Sequence, residues 1–167
     1  MTKKWRKNGG KQETSVRFTP REKDPLFDST EKVLRGLGLS LIDLSVFRGK
    51  TGIQVKAVVY RDGITGVEDC TNAHRALLPS LELAFAGKNF SAEVSSPGID
   101  RTIKDGSEFR HYLGRGVRCF RTDISDWSAG ILQSADENGL TLKGKDGMIP
   151  LEYGVIAKAK LDAAQEG

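Results

Sequence analysis

The side chains that could do covalent chemistry in this chain are few and poorly arranged for it. Ser95 and Ser96 are adjacent hydroxyls, and His74 and His111 are the two histidines that could act as a base. A nucleophilic serine needs a base within hydrogen-bond reach and usually a sharp strand-to-helix elbow of the Gly-x-Ser-x-Gly type. Ser95-Ser96-Pro97-Gly98 is not that elbow. His74 falls on or beside an apolar helical stripe and reads as a hydrogen-bonded residue at the core edge, while His111 reads as a surface residue. Gly49-Lys50-Thr51-Gly52 has the Lys-Thr step of a phosphate-binding loop, but the first glycine of that motif would fall on Leu44, and the segment joins two strands rather than opening a helix. Asp100 and Asp105 fit capping and ion pairing better than paired acid–base work. No cluster of His, Cys and carboxylates has zinc-ligand spacing, and Cys70 and Cys119 read as buried free thiols. The chain therefore reads as no enzyme, with no cofactor and no metal.

The cations are better placed for work than the nucleophiles. Residues 1–24 carry eight basic and three acidic side chains, so +5 of charge sits there, against +4 for the whole chain. A basic leader suits a polyanion such as RNA, where counterion release supplies affinity without sequence readout; the plain alternative is a solvated leader. A second group, Arg101, Lys104, Arg110, Arg115 and Arg118, lies close together in sequence, with Trp127 nearby. These cations can meet phosphates or form a solvated, ion-paired rim. Trp127, read as a loop residue beside Asp126, can anchor a partner or close the end of a barrel. Arg101 can instead pin a hinge by pairing with Asp100 or with a carboxylate of the first module such as Asp69. No RNP-type aromatic strand and no Gly-x-x-Gly loop is present, which argues against sequence-specific single-strand readout.

The elements that must hold these residues follow from periodicity. Residues 1–23 lack an apolar repeat and are expected to be a disordered basic tail. Asp24-Pro25 opens a helix with the stripe Leu26, Thr30, Val33 and Leu37, flanked by Phe27 and Leu34 and ended by Gly38. Leu39–Phe47 and Ile53–Val59 alternate as strands about the Arg48–Gly52 reversal. Thr65-Gly66-Val67-Glu68 reads as a capping box for a second helix, which Pro79 should kink or divide. Phe90, Ala92 and Val94 alternate in a third strand that stops at Pro97-Gly98, a pair suited to a type II turn with glycine at positive φ. Beyond Asp105-Gly106-Ser107-Glu108, which can cap a helical turn, come four short strands, punctuated at 126–128, 137–139 and 145–147. A final strand or helical turn spans Tyr153–Leu161. Closely spaced short strands point to a small barrel. The class is α+β: an N-terminal α-β-β-α-β sandwich over 24–96, a linker at 97–104 and a small β-barrel domain over 105–167. No apolar run approaches the ~20 residues that span a bilayer.

Val94-Ser95-Ser96-Pro97-Gly98-Ile99-Asp100-Arg101 resembles the signature of the RimP family of bacterial ribosome maturation factors. Val67-Glu68-Asp69-Cys70, Phe109…Tyr112-Leu113-Gly114, Gly130-Ile131-Leu132 and Ile156–Leu161 are similar to that family as well, so the resemblance runs from about Pro25 to Leu161. It implies an α/β domain joined to an SH3-like barrel, with Ser95, Ser96, Pro97, Gly98, Asp100 and Arg101 at the hinge. It further implies a cytoplasmic, monomeric, non-catalytic factor. Such a factor binds the free 30S small ribosomal subunit, both rRNA and a decoding-face ribosomal protein, and promotes late assembly without DNA or membrane. The reading from another class is a general RNA-binding or RNA-chaperone module driven by the basic leader.

Overall fold

The computed structural model describes residues 15–63 and 65–167 and divides into two compact units. One is Pro20–Gly98; the other joins residues 15–19 to Ile99–Gly167. Together they form a mixed α+β protein with an α/β N-terminal region and a β-rich C-terminal sheet.

The first unit is built on helix α1, Pro25–Arg35, and helix α2, Val67–Ala84. Asp24 caps α1: its Oδ1 accepts from the Leu26 and Phe27 amides at 3.0 and 3.4 Å, satisfying two of the amides that every helix start leaves open. The buried side chains of α1 are Phe27, Thr30 and Leu34, so its apolar stripe lies one residue away from the Leu26–Leu37 line expected, and Leu37 is exposed. Strands β1 (Ser40–Arg48) and β2 (Ile53–Tyr60) pair antiparallel, and β3 (Phe90–Ser95) joins β2 in parallel. Leu41, Val55, Ala57 and Val59 pack with Leu34, Ala73, Leu77 and Leu81 in one core. This is the α-β-β-α-β arrangement that the alternation predicts.

Two local expectations for α2 are corrected. Its N-cap is Gly66, whose amide donates to Asp69 Oδ2 at 3.0 Å, while Thr65 Oγ1 accepts from the Arg61 amide instead of capping the helix. The helix also runs through Pro79 undivided, with Leu77 and Leu81 buried on either side. Their packing outweighs the ~3 kcal/mol that an interior proline costs.

The second unit is one antiparallel sheet. Its strands are β4 (Thr102–Ile103), β5 (Gly116–Arg121), β6 (Asp126–Ala135), β7 (Gly139–Gly144), β8 (Gly147–Glu152) and β9 (Ile156–Leu161), in the order β4-β9-β5-β6-β7-β8. The ladder is open, with β4 and β8 as its edges, so the closed barrel expected is not formed by hydrogen bonding. Val117, Cys119, Leu132, Leu142, Ile156 and Ala159 fill one face, beneath a 3₁₀ turn at Gly106–Tyr112 that buries Phe109 and Tyr112.

The expected tail and linker also differ. Residues 1–14 lie outside the described residues. Val16 is 7% exposed and its amide donates to the Ile156 carbonyl at 2.8 Å; Gly106 donates back to the Arg17 carbonyl at 2.7 Å. The Phe18 ring stacks on Tyr153, which stacks in turn on Phe109. Arg21–Lys23 is a 3₁₀ turn, with Arg21 Nη1 3.3 Å from Asp43 Oδ1. The disordered stretch expected through residue 23 therefore does not extend that far: Val16 and Phe18 are only two apolar side chains, too few to register as a repeat, yet each finds a partner. Within the expected linker, Thr102–Ile103 pairs with β9. The turn falls at Ile99–Asp100 rather than Pro97-Gly98, and Gly98 is not among the glycines at positive φ. Its position follows from the ladder, since the Arg101 carbonyl already accepts from Leu161 and the chain must bend just before it.

Candidate functional site

The cations singled out from the sequence fall into three settings. Arg101 is nearly enclosed: its side chain is 10% exposed and grips the fully buried Glu108 through Nε–Oε1 at 2.9 Å and Nη2–Oε2 at 3.1 Å. The Lys104 amide donates to the same Oε2. The partner is thus neither Asp100 nor Asp69. Glu108, placed by the sequence in the opening of a helical turn, is a core carboxylate that ties the start of β4 to the 3₁₀ turn. Two parallel charge-assisted bonds give this buried pair a fixed geometry.

Arg110 and Arg115 form the second setting. Arg110 Nε donates to His111 Nε2 at 3.3 Å, and Arg115 Nε donates to Glu166 Oε2 at 3.0 Å. Glu166 also accepts from the Gly116 amide; that bond, with Arg115, holds its carboxyl below the usual range. His111 is half-buried rather than a surface residue. Burial, with the neighbouring Arg110 charge, pushes its pKa down to about 4, so the ring is neutral near pH 7.

Arg118 and Trp127 form the third. Arg118 lies on β5 and Trp127 on β6, where the Phe120↔Trp127 register sets the two rings at 5.5 Å in an edge-on contact. The Arg118 guanidinium sits over the Trp127 ring, 5.1 Å from its centroid. Trp127 is 40% exposed. It is a strand residue, not a loop residue: the reversal is at 122–125, closed by Ser125 at φ 54° and by an Arg121–Asp123 ion pair at 2.7 Å, so Asp126–Ser128 are free to join the ladder. Sequence reading missed Phe120, Lys158 and Lys160 as neighbours of this pair. The available signal was the period-two spacing of Arg118/Phe120 and of Lys158/Lys160, which puts each pair on one face once the strands are aligned.

The serines and histidines do not assemble into a reactive site. Ser95 ends β3, exposed, and Ser96 is exposed beyond it; Pro97 is half-buried, and Gly98 and Asp100 are exposed. His74 Nε2 lies 3.1 Å from the Ala92 carbonyl oxygen, a hydrogen bond that requires the proton on Nε2, and so has the core-edge role expected of it. The groove beside it, about 600 Å³, is lined by Cys70, Thr71 and the β3 residues Ser91–Val94. Burial and the Asp69 charge raise the Cys70 thiol, and burial pushes Cys119 up to about 12, so neither thiol is an activated nucleophile. Among the described residues, no group of three or more His, Cys, Asp or Glu could hold a metal ion, and no helix is long and apolar enough to cross a membrane.

Asp69 does structural work at the head of α2. Its Oδ1 accepts from Arg61 Nη2 at 2.9 Å and Nε at 3.2 Å, while Arg61 Nη2 also reaches the Leu37 carbonyl. Arg61 and the Gly66 amide hold the Asp69 carboxyl below its ordinary value.

A family model described as the RimP N-terminal domain matches residues 29–100, which takes in α2 with its Asp69-Cys70 opening and the Ser95–Asp100 run. Curated relatives extend the similarity across both units. The ribosome maturation factor RimP of Borrelia turicatae (strain 91E135) is 29% identical over 136 residues, covering 81% of this chain and 93% of the relative. That of Borrelia recurrentis (strain A1) gives the same identity and coverage. The RimP of Borrelia garinii subsp. bavariensis is 24% identical over 137 residues, covering 81% of this chain and 92% of the relative. With the domain match on one unit and the relatives spanning both, this chain is similar over most of its length to the RimP family of ribosome maturation factors.

Proposed function

We propose that this chain binds the free 30S small ribosomal subunit and promotes its late assembly without catalysing a reaction. It would act in the cytoplasm as a monomer, touching rRNA and a decoding-face ribosomal protein. The observation that carries this reading is the similarity to ribosome maturation factors over 81% of the chain. The fold supports it in kind. The open six-stranded sheet fits an SH3-like unit, and the cationic and aromatic side chains on its outer face suit binding better than bond-breaking. A binder that drives maturation must prefer the immature state, because equal affinity for both shifts nothing.

The competing reading, a general RNA chaperone worked by the basic leader, is favoured only by the charge of residues 1–24. Sedimentation of the purified protein with small subunits, large subunits and assembled ribosomes separates the two. Retention on free small subunits at moderate salt supports the maturation role. Spread over all three particles, vanishing as salt rises, favours the leader-driven module.

A further inference from the structure

The outer face of the C-terminal sheet arranges its side chains in rows that the strand register fixes. Lys158, Phe120 and Trp127 lie in one cross-strand row, and Lys160, Arg118 and Ala129 in the next. Neighbouring strands are ~4.8 Å apart and alternate residues along a strand ~6.6 Å apart, so these cations and rings share one small area. Neither row contains a carboxylate. Lys158 is exposed and Lys160 half-exposed.

The Trp127 ring is held from two sides, edge-on by Phe120 and from above by Arg118, so it is presented without a search through rotamers. Arg118 Nε is buried without a hydrogen-bond partner, which leaves the ring as the contact that orients the guanidinium. A preset aromatic surface flanked by flexible ammonium groups matches one class of ligand best. Bases stack on the ring and guanidinium planes, and phosphates meet the lysines. An acidic peptide would use the lysines but gain little from the open tryptophan.

Resting on the small-subunit reading only for where the ligand comes from, we infer that this face, centred on Arg118, Phe120, Trp127, Lys158 and Lys160, binds single-stranded RNA by base stacking and phosphate contact. Recognition there is tolerant of sequence, because every base has a stacking face and no base-edge donors are arranged to read it.

The test uses the full chain and a dye-labelled single-stranded RNA of about 12 nucleotides, read by fluorescence anisotropy. Trp127→Ala weakens binding about tenfold. The double variant Lys158→Gln/Lys160→Gln, which alters only surface lysines and keeps the wild-type melting temperature, reduces the slope of log affinity against log salt by about 1.4. Wild-type affinity and slope in both variants would overturn the inference. So would tighter binding of an oligoglutamate peptide than of the RNA, which would assign the face to an acidic protein segment. Sedimentation with ribosomal particles is run in parallel. Unimpaired variants of a chain that still sediments with small subunits would sink this surface and leave the maturation reading standing. Trp127-dependent RNA binding by a chain that ignores small subunits would do the reverse.

Discussion

The Thr19 amide donates to Asp105 Oδ1 at 3.0 Å across 86 positions of sequence, and the same oxygen accepts from Ser107 at 2.9 Å. One buried carboxylate thus caps the 3₁₀ turn and fastens the residue 15–19 strap. Burial works to raise the Asp105 carboxyl, but the Thr19 and Ser107 hydrogen bonds outweigh it and hold the group below its ordinary value. Such a group contributes its stability in full above the unfolded value of ~4, and loses it as pH falls through the lower folded value. Asp105→Asn, which keeps an acceptor oxygen but no longer titrates, should lose less stability than wild type as the solution is acidified below about pH 4. Urea midpoints measured through that range check it. Asp105→Ala should cost about 1–2 kcal/mol at neutral pH.

The strap itself makes a second prediction. Deleting residues 1–14 removes five basic and one acidic side chain. It should flatten the salt dependence of RNA binding and preserve preference for free small subunits. Deleting residues 1–19 also removes the buried Val16 and the Phe18–Tyr153 stack. That cut should lower stability by roughly 2 kcal/mol, mainly from lost apolar burial. Equal stability of the two truncations would contradict the docked strap.

Glu108 offers the sharpest stability test. Glu108→Ala removes the bidentate carboxylate that faces the Arg101 guanidinium in a nearly closed site, at a cost of about 3–5 kcal/mol. Replacing both partners, Arg101→Met with Glu108→Leu, removes the charge and its counter-charge together and should recover most of that loss. A double-mutant cycle on denaturant midpoints measures the difference.

Arg61→Ala should release the Asp69 carboxyl upward toward its ordinary value, since Arg61 is the largest cause of its depression. An NMR titration of Asp69 reads the shift directly. Amide exchange at Gly66 should stay slow, because Asp69 Oδ2 still accepts there.

Glycine substitutions distinguish the expected turn from the observed one. Gly98→Ala should change stability by under ~0.5 kcal/mol, as expected of an exposed residue outside the left-handed region. At Gly139 a Cβ would run into the Leu151 carbonyl oxygen of the neighbouring strand, so Gly139→Ala should cost well over ~1 kcal/mol. Thermal melts of the two variants decide it.

What the chain order shows in advance is the part governed by local period. Asp24 as a cap, the β1–β2 alternation and the Asp105 turn are all readable because each rests on residues a few positions apart. The strap, the Glu108 pair and the basic–aromatic face are not. Val16 meets Ile156, and Phe120 meets Lys158, only after distant strands align. Glu108 shows how misleading type alone can be: a carboxylate is expected in water until its partner is known. Trp127 is hard to place from sequence for a smaller reason. Asp126 points to a turn, while the real reversal, at Thr122–Ser125, contains no glycine to mark it.

The strap gives the chain an order of events. Because residues 15–19 pack with Ile99–Gly167, the unit Pro20–Gly98 is inserted within the other unit's sequence. A ribosome making this protein releases the strap first and its partner strand β9 nearly last. The inserted unit can complete its own core while the strap waits, and the second unit is finished only when the last strand emerges. A fragment cut at residue 105, where the sequence pattern alone would place the boundary, would start life without its first strand, its Arg101 counter-charge and its strap.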